Sequence, residues 1–164
     1  MSEDWVINTS PVILLAKVAL IQYLPSVAQS LVIPEPVAAE IRQCREVDAA
    51  VKWIQGNGKQ FVRPAVKELA ELSGADIGLG ERSVIFWAAA NPGFVAVLDD
   101  SEARSAARRL GVRVLGTVGV VLVLKSRGLI GEVKPRLVEI RRVGGYISDG
   151  LFREALRSAG EQEK

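Results

Sequence analysis

The sequence predicts an α/β protein whose mostly parallel central sheet is covered by helices on both faces. Three observations carry this reading. Short β-rich runs alternate with helical segments along the chain. The runs Trp5-Val-Ile7, Leu31-Val-Ile33 and Phe94-Val-Ala-Val-Leu98 are too apolar to leave either face in water, and polar or Gly/Pro residues close each of them. In such folds ligands bind beyond the carboxyl ends of the strands, so chemistry is expected there.

The elements follow in order. Trp5–Ile7 stops at Asn8-Thr9-Ser10-Pro11, where Thr9 or Ser10 suits a helix cap and Pro11 the first helical position. That helix carries Ile13, Leu14, Val18 and Ile21 and ends, intact or broken, before Pro25. Ser30–Ile33 reads as the next strand, ended by Pro34. Pro36 opens a helix to about Glu46, and another covers Asp48–Gln55. Gly56-Asn-Gly58 is a turn, Gln60–Arg63 a strand or extended chain, and Ala65–Leu72 is helical until Ser73-Gly74 breaks it. Gly80–Ala90 is a helix closed by Asn91-Pro92-Gly93. Phe94–Leu98 is a buried strand stopped by Asp99-Asp100, and Glu102–Leu110 is a helix ended by Gly111. A strand at Val112–Leu115 and helices at Thr117–Ser126, Lys134–Val143 and Ser148–Ser158 complete the pattern.

With 164 residues, 49% of them hydrophobic, and no repeat or linker, the chain reads as a single domain over 1–164. Its acidic N-terminus lacks the basic start of a secretion signal, and no apolar stretch approaches the ~20 residues that span a bilayer. The expectation is a cytoplasmic protein with no membrane association. One cysteine, Cys44, excludes an internal disulfide, and it sits on an apolar stripe. The absence of His excludes Ser-His-Asp and Cys-His catalysis, and a His-ligated zinc or haem. Enzymatic chemistry would then fall to carboxylates, Lys, Arg, Tyr or hydroxyls, with hard cations such as Mg²⁺ or Mn²⁺ as helpers. The net charge of +2 is unevenly spread: residues 1–100 hold 8 Lys+Arg against 12 Asp+Glu, and residues 101–164 hold 13 against 7. Such a division suits an acidic metal site in one half and a polyanion-binding surface in the other, or simply solvated helix faces.

The acids at the expected edge stand out. Asp99 and Asp100 follow a buried strand; two adjacent like charges there require compensation, and a helix cap uses only one of them. Glu81 lies three, four, seven and eight residues before Val84, Ile85, Ala88 and Ala89, near the centre of the apolar side of its helix. A first-turn Glu is favoured by the helix dipole, but that does not explain its facing the core side. Glu40 lies to one side of the stripe Val37, Ile41 and Cys44, a boundary position open to a cleft or to solvent. Arg104 and Arg108, with Arg109 beside them, form a basic helix face just past Asp100, suited to phosphates or to water alone. Ser10 and Thr117 are placed to bind water or phosphate, or to start their helices. Phe86 and Trp87 lie off the inner side of their helix, a position suited to a dimer interface. Gly78-x-Gly80 lacks the spacing and the Lys of a phosphate loop.

Several segments together resemble PIN-domain proteins: Val6-Ile-Asn-Thr-Ser-Pro-Val-Ile13, Leu31-Val-Ile-Pro-Glu-Pro-Val-Ala-Ala-Glu40-Ile41, Gly78-Leu-Gly-Glu81-Arg-Ser-Val-Ile85 and Val97-Leu-Asp99-Asp100-Ser-Glu-Ala-Arg104. With Leu110–Thr117 and Gly145-Tyr-Ile-Ser148, they resemble most the branch described as predicted nucleic-acid-binding proteins. The resemblance spans Trp5 to about Gly160. It implies a PIN-like α/β/α sandwich and Mg²⁺- or Mn²⁺-dependent ribonuclease chemistry on RNA. Many such proteins are toxins of toxin–antitoxin modules, and a homodimer with a small antitoxin protein follows from that. The resemblance places the metal ligands at Asn8, Glu40, Glu81 and Asp100, the catalytic acids at Glu40, Glu81, Asp99 and Asp100, and substrate contacts at Ser10, Arg104, Arg108 and Thr117. Asn8 departs from the family's usual Asp; its amide oxygen is a neutral ligand and no base. The other readings are a catalytically weakened PIN-like module that binds nucleic acid or protein, and a phosphatase using the Asp99-Asp100 pair.

Overall fold

In a computed structural model the described residues are 2–45, 48–68, 72 and 76–163. Five strands form an all-parallel sheet: β1 (Glu3–Ile7), β2 (Ala28–Pro34), β3 (Val62–Arg63), β4 (Phe94–Val97) and β5 (Arg113–Leu115), in spatial order β3-β2-β1-β4-β5. Trp5, Val6 and Ile7 are consecutive and all buried. Since neighbouring side chains on a strand point to opposite faces, both faces of the sheet are covered.

Among the described residues nine α-helices surround the sheet: α1 (Thr9–Lys17), α2 (Leu24–Val27), α3 (Glu35–Gln43), α4 (Asp48–Gln55), α5 (Leu79–Ala90), α6 (Ser101–Arg109), α7 (Thr117–Ser126), α8 (Lys134–Arg142) and α9 (Asp149–Ser158). α5 packs across β1, β2 and β4, while α1 packs on α3, α4, α7 and α8. No single helix among the described residues is long and apolar enough to cross a membrane.

Several expectations need correction. Asn8, not Thr9 or Ser10, occupies the cap position of the helix after β1, and Pro11 sits two residues inside that helix. It stops at Lys17 because Ala19 adopts a left-handed backbone (φ 54°); a 3₁₀ turn at Ile21–Tyr23 and the short α2, which contains Pro25, carry the chain to β2. The helix opened near Pro36 begins at Glu35 and ends at Gln43; its expected end, Glu46, lies outside the described residues. Asn57–Phe61 is a 3₁₀ segment where the turn was expected. Residues 65–68 of the expected Ala65–Leu72 helix are not helical; residues 69–71, like Ser73 and Gly74, lie outside the described residues. Phe86 is only 1% exposed, so it belongs to the core and is not available to an interface. Trp87 packs edge-on against Phe94.

The strand order positions the site. β1 is central: the chain leaves it toward β2 on one side and meets β4 on the other, with Ile7 paired to Val97. Helices departing from the ends of β1 and β4 diverge, and a crevice opens between them at this switch point.

Candidate functional site

A cleft of about 900 Å³ occupies that place. Asn8, Ser10, Glu81, Asp99 and Asp100 line it, joined by Arg104, Arg108 and Thr117. Segments more than 100 residues apart in sequence are thus brought together by the parallel sheet.

Asn8 continues β1 by one rung, its N–H donating to Val97 O at 3.1 Å. The residue is 3% exposed, and its Oδ1 has no hydrogen-bond partner among the described residues. Leaving a buried carbonyl unpaired costs about 1–3 kcal/mol, and the chemistry of this oxygen suits a hydrogen-bond donor or a hard cation. Although Asn8 stands at the cap of α1, its side chain makes no capping bond.

At the end of β4 the two acids divide the work. Asp100 is the cap of α6, accepting from Ala103 N at 2.8 Å through Oδ1. Asp99 is held by Thr117, whose N–H donates to Oδ1 at 2.7 Å and whose Oγ1 donates to Oδ2 at 2.6 Å. Thr117 is buried, and both its donors are committed to Asp99, so it orients that carboxylate. Glu81, in the first turn of α5, reaches back to accept from Gly78 N at 2.6 Å through Oε2. This is half of a capping box, since Gly78 has no side chain to reciprocate. The other oxygens, Oε1 of Glu81 and Oδ2 of Asp100, take no hydrogen bond among the described residues.

Glu40 behaves differently. Thr9 Oγ1 donates to its Oε2 at 2.5 Å and Gly80 N to its Oε1 at 3.0 Å, fastening α3 to the starts of α1 and α5. It is not part of the cleft lining. Gly80 permits this approach: a Cβ there would stand 2.6 Å from Glu40 Oε2.

Beside these acids the cleft is basic. Arg104 Nη1 donates to Leu98 O at 2.9 Å, and Arg108 is one turn further along α6. Burial, then the like charge of Arg108, hold the Arg104 guanidinium below its ordinary value against the pull of Asp99. Arginine stays cationic regardless. Arg109 lies outside this cleft. Gly116, which the sequence reading passed over, makes room for these side chains: a Cβ there would meet Arg104 Nη1 at 2.8 Å and Asp99 Oδ1 at 3.3 Å. A glycine directly between a strand and a helix was the available signal.

The order and spacing of these segments decide the family: the PIN-domain profile matches residues 4–161. The chain belongs to the PIN-domain family. No match was found among curated proteins or among solved structures. PIN domains are generally metal-dependent nucleases, and this α/β chain is a nuclease-type module of that family.

The donor chemistry agrees with the metals such modules use. Asn8 Oδ1 with the Glu81, Asp99 and Asp100 carboxylates is an oxygen-only set, and one member is a buried carbonyl with no partner. Yet among the described residues no three Asp, Glu or Cys side chains are gathered tightly enough to form a ready metal cage.

Proposed function

We propose that this PIN domain hydrolyses RNA phosphodiesters with the help of Mg²⁺ or Mn²⁺. The observation that supports it most is one cleft at the sheet's switch point that joins Asn8 Oδ1, unpaired among the described residues, to the carboxylates of Glu81, Asp99 and Asp100 and to Arg104 and Arg108. Asn8, Glu81 and Asp100 would hold the cation, with Asp99 oriented by Thr117 beside them. Glu40, bonded to Thr9 and Gly80, acts by fixing the start of α5 and hence Glu81; direct ligation would require it to leave those bonds.

The chemistry such a cation would supply there is polarisation of a phosphoryl oxygen and a lowered pKa for a water. The rest falls to the chain itself. Arg104 and Arg108 bind the phosphates flanking the scissile bond, and Ser10, exposed at the start of α1, offers a hydroxyl to a phosphate oxygen. A carboxylate of the Glu81–Asp99–Asp100 group accepts the proton of the water as its oxygen bonds to phosphorus, and the P–O bond to the leaving oxygen breaks with that oxygen taking a proton from solvent. Asn8 takes no part in proton transfer.

A binding module without catalysis is the second reading. It is favoured by the neutral Asn8 and by the lack, among the described residues, of three gathered acids. A toxin role, with a small antitoxin and a homodimer, rests on the family relationship alone.

Cleavage of a fluorophore-quencher single-stranded RNA separates the two readings. Hydrolysis in Mn²⁺, absent in EDTA and lost in a folded Glu81→Gln variant, is the expected result. RNA binding without cleavage at any Mn²⁺ concentration would establish the binding module instead.

A further inference from the structure

The loop joining α8 to α9 also lines the cleft, through Gly144, Gly145, Tyr146, Ile147 and Ser148. Tyr146 is 93% exposed, far more than any other large apolar side chain described. Among the described residues its ring has no aromatic or cationic partner, and its hydroxyl has no hydrogen bond. A free aromatic ring on a mobile loop would mean little, but this loop is pinned on both sides.

Before Tyr146, Gly145 N donates to Ile140 O at 2.9 Å. The backbone there lies so close to α8 that a Cβ on Gly145 would stand 2.5 Å from Ile140 Cγ2 and 2.9 Å from Ile140 O. After it, Arg141 donates to Ile147 O through Nε at 3.0 Å and Nη2 at 2.6 Å. The Arg141 guanidinium in turn sits 4.5 Å from the centre of the Phe152 ring. Ser148 then caps α9, accepting from Leu151 N at 3.1 Å. The backbone carrying Tyr146 is therefore held on both sides, so only the side-chain torsions of the ring remain to be ordered when it meets a ligand.

We propose that Tyr146 is a stacking platform for one base of single-stranded RNA whose phosphates lie on Arg104 and Arg108. The inference rests on the RNA reading of the cleft and extends it to a nucleotide beside the scissile phosphate. Charge selects this occupant. The arginines of the same cleft attract a polyanion, while α9 contributes Leu151 and Glu154 to the lining, a surface that repels phosphate and accepts a base. The cleft's volume exceeds what a phosphate alone would fill and lies at the upper end for nucleotide-sized ligands. Stacking is tolerant of base identity, so Tyr146 adds affinity for single strands over duplexes with little sequence preference.

The test is fluorescence anisotropy of a labelled single-stranded RNA octamer and a set of the same octamers each with one abasic position, in Ca²⁺, using wild type, Tyr146→Ala, Tyr146→Phe and Arg104→Ala. Stacking predicts that Tyr146→Phe stays close to wild type while Tyr146→Ala binds roughly tenfold more weakly. It also predicts that the Tyr146→Ala penalty vanishes on the abasic octamer lacking the stacked base, whereas the Arg104→Ala penalty persists on every octamer. If Arg104→Ala weakens binding but Tyr146→Ala does not, or its penalty survives on every abasic octamer, stacking is overturned and the RNA reading stands. If wild type binds no octamer, or Arg104→Ala binds as wild type does, the RNA reading itself fails and this inference with it.

Discussion

Replacing Asn8 by Asp exchanges one NH₂ for an oxygen of similar size, yet it adds a charge at a site that is 3% exposed. The cleft already holds Glu81, Asp99 and Asp100. Burial and like-charge repulsion then both oppose ionisation. A cost of about 2–4 kcal/mol is expected without a cation, and at roughly 2–4 °C per kcal/mol this lowers Tm by about 5–15 °C. The new carboxyl's pKa rises on folding, so the penalty is absent below the unfolded value near ~3.9 and appears as pH climbs above it. A cation bound at about a hundred times its Kd returns about 2.7 kcal/mol. The assay is thermal unfolding of wild type and Asn8→Asp at pH 7 and pH 4, in EDTA and in Mn²⁺. The expected pattern is a large deficit only at pH 7 in EDTA, mostly restored by Mn²⁺, with a smaller Mn²⁺ effect on wild type. An Asn8→Asp protein as stable as wild type in EDTA and indifferent to Mn²⁺ would refute the placement of Asn8 in an acidic, cation-seeking cleft.

Thr117→Val removes the 2.6 Å bond to Asp99 and keeps the backbone one; stability should fall by about 1 kcal/mol in urea melts and Mn²⁺ affinity by roughly tenfold. Gly80→Ala would gain up to about 1 kcal/mol in an ordinary helix, but here its Cβ meets the Glu40 carboxylate, so a net loss of about 1–2 kcal/mol is expected in the same melts. Glu161 accepts from Val133 N at 2.7 Å and Lys134 N at 2.9 Å, holding the start of α8. Burial alone would raise its pKa, but these bonds and Lys125 outweigh it and leave the carboxyl below its ordinary value. Its stabilisation is therefore present above the unfolded value near ~4.3 and lost as pH falls through the lower folded one, so Glu161→Gln should flatten that part of a stability–pH curve.

The sheet was legible because its central strands are buried on both faces: Trp5–Ile7 and Phe94–Leu98 are unbroken apolar runs closed by Asn8 and by Asp99. Helices with polar starts and clear stops were equally readable, α4 and α7 to the residue. The break at Ala19 was not, since an alanine carries no local signal for a left-handed backbone. Nor was the burial of Phe86: α5 is enclosed on more than one side, so a single inner stripe underestimates what it buries. The pairing of Glu40 with Thr9, 31 residues away, depends on packing that no spacing encodes. Of the two adjacent acids, the sequence implied that one would cap a helix; that Asp100 is the cap while Thr117 grips Asp99 follows only from the placement of β5 beside β4.

Calorimetric titration of Mn²⁺ into wild type, Asn8→Asp and Glu81→Gln tests the central claim, that the cleft at the ends of β1 and β4 is a cation site. Wild type should bind, Asn8→Asp should bind more tightly, and Glu81→Gln should lose most of its affinity while remaining folded. No heat of binding in any of the three folded proteins would contradict it.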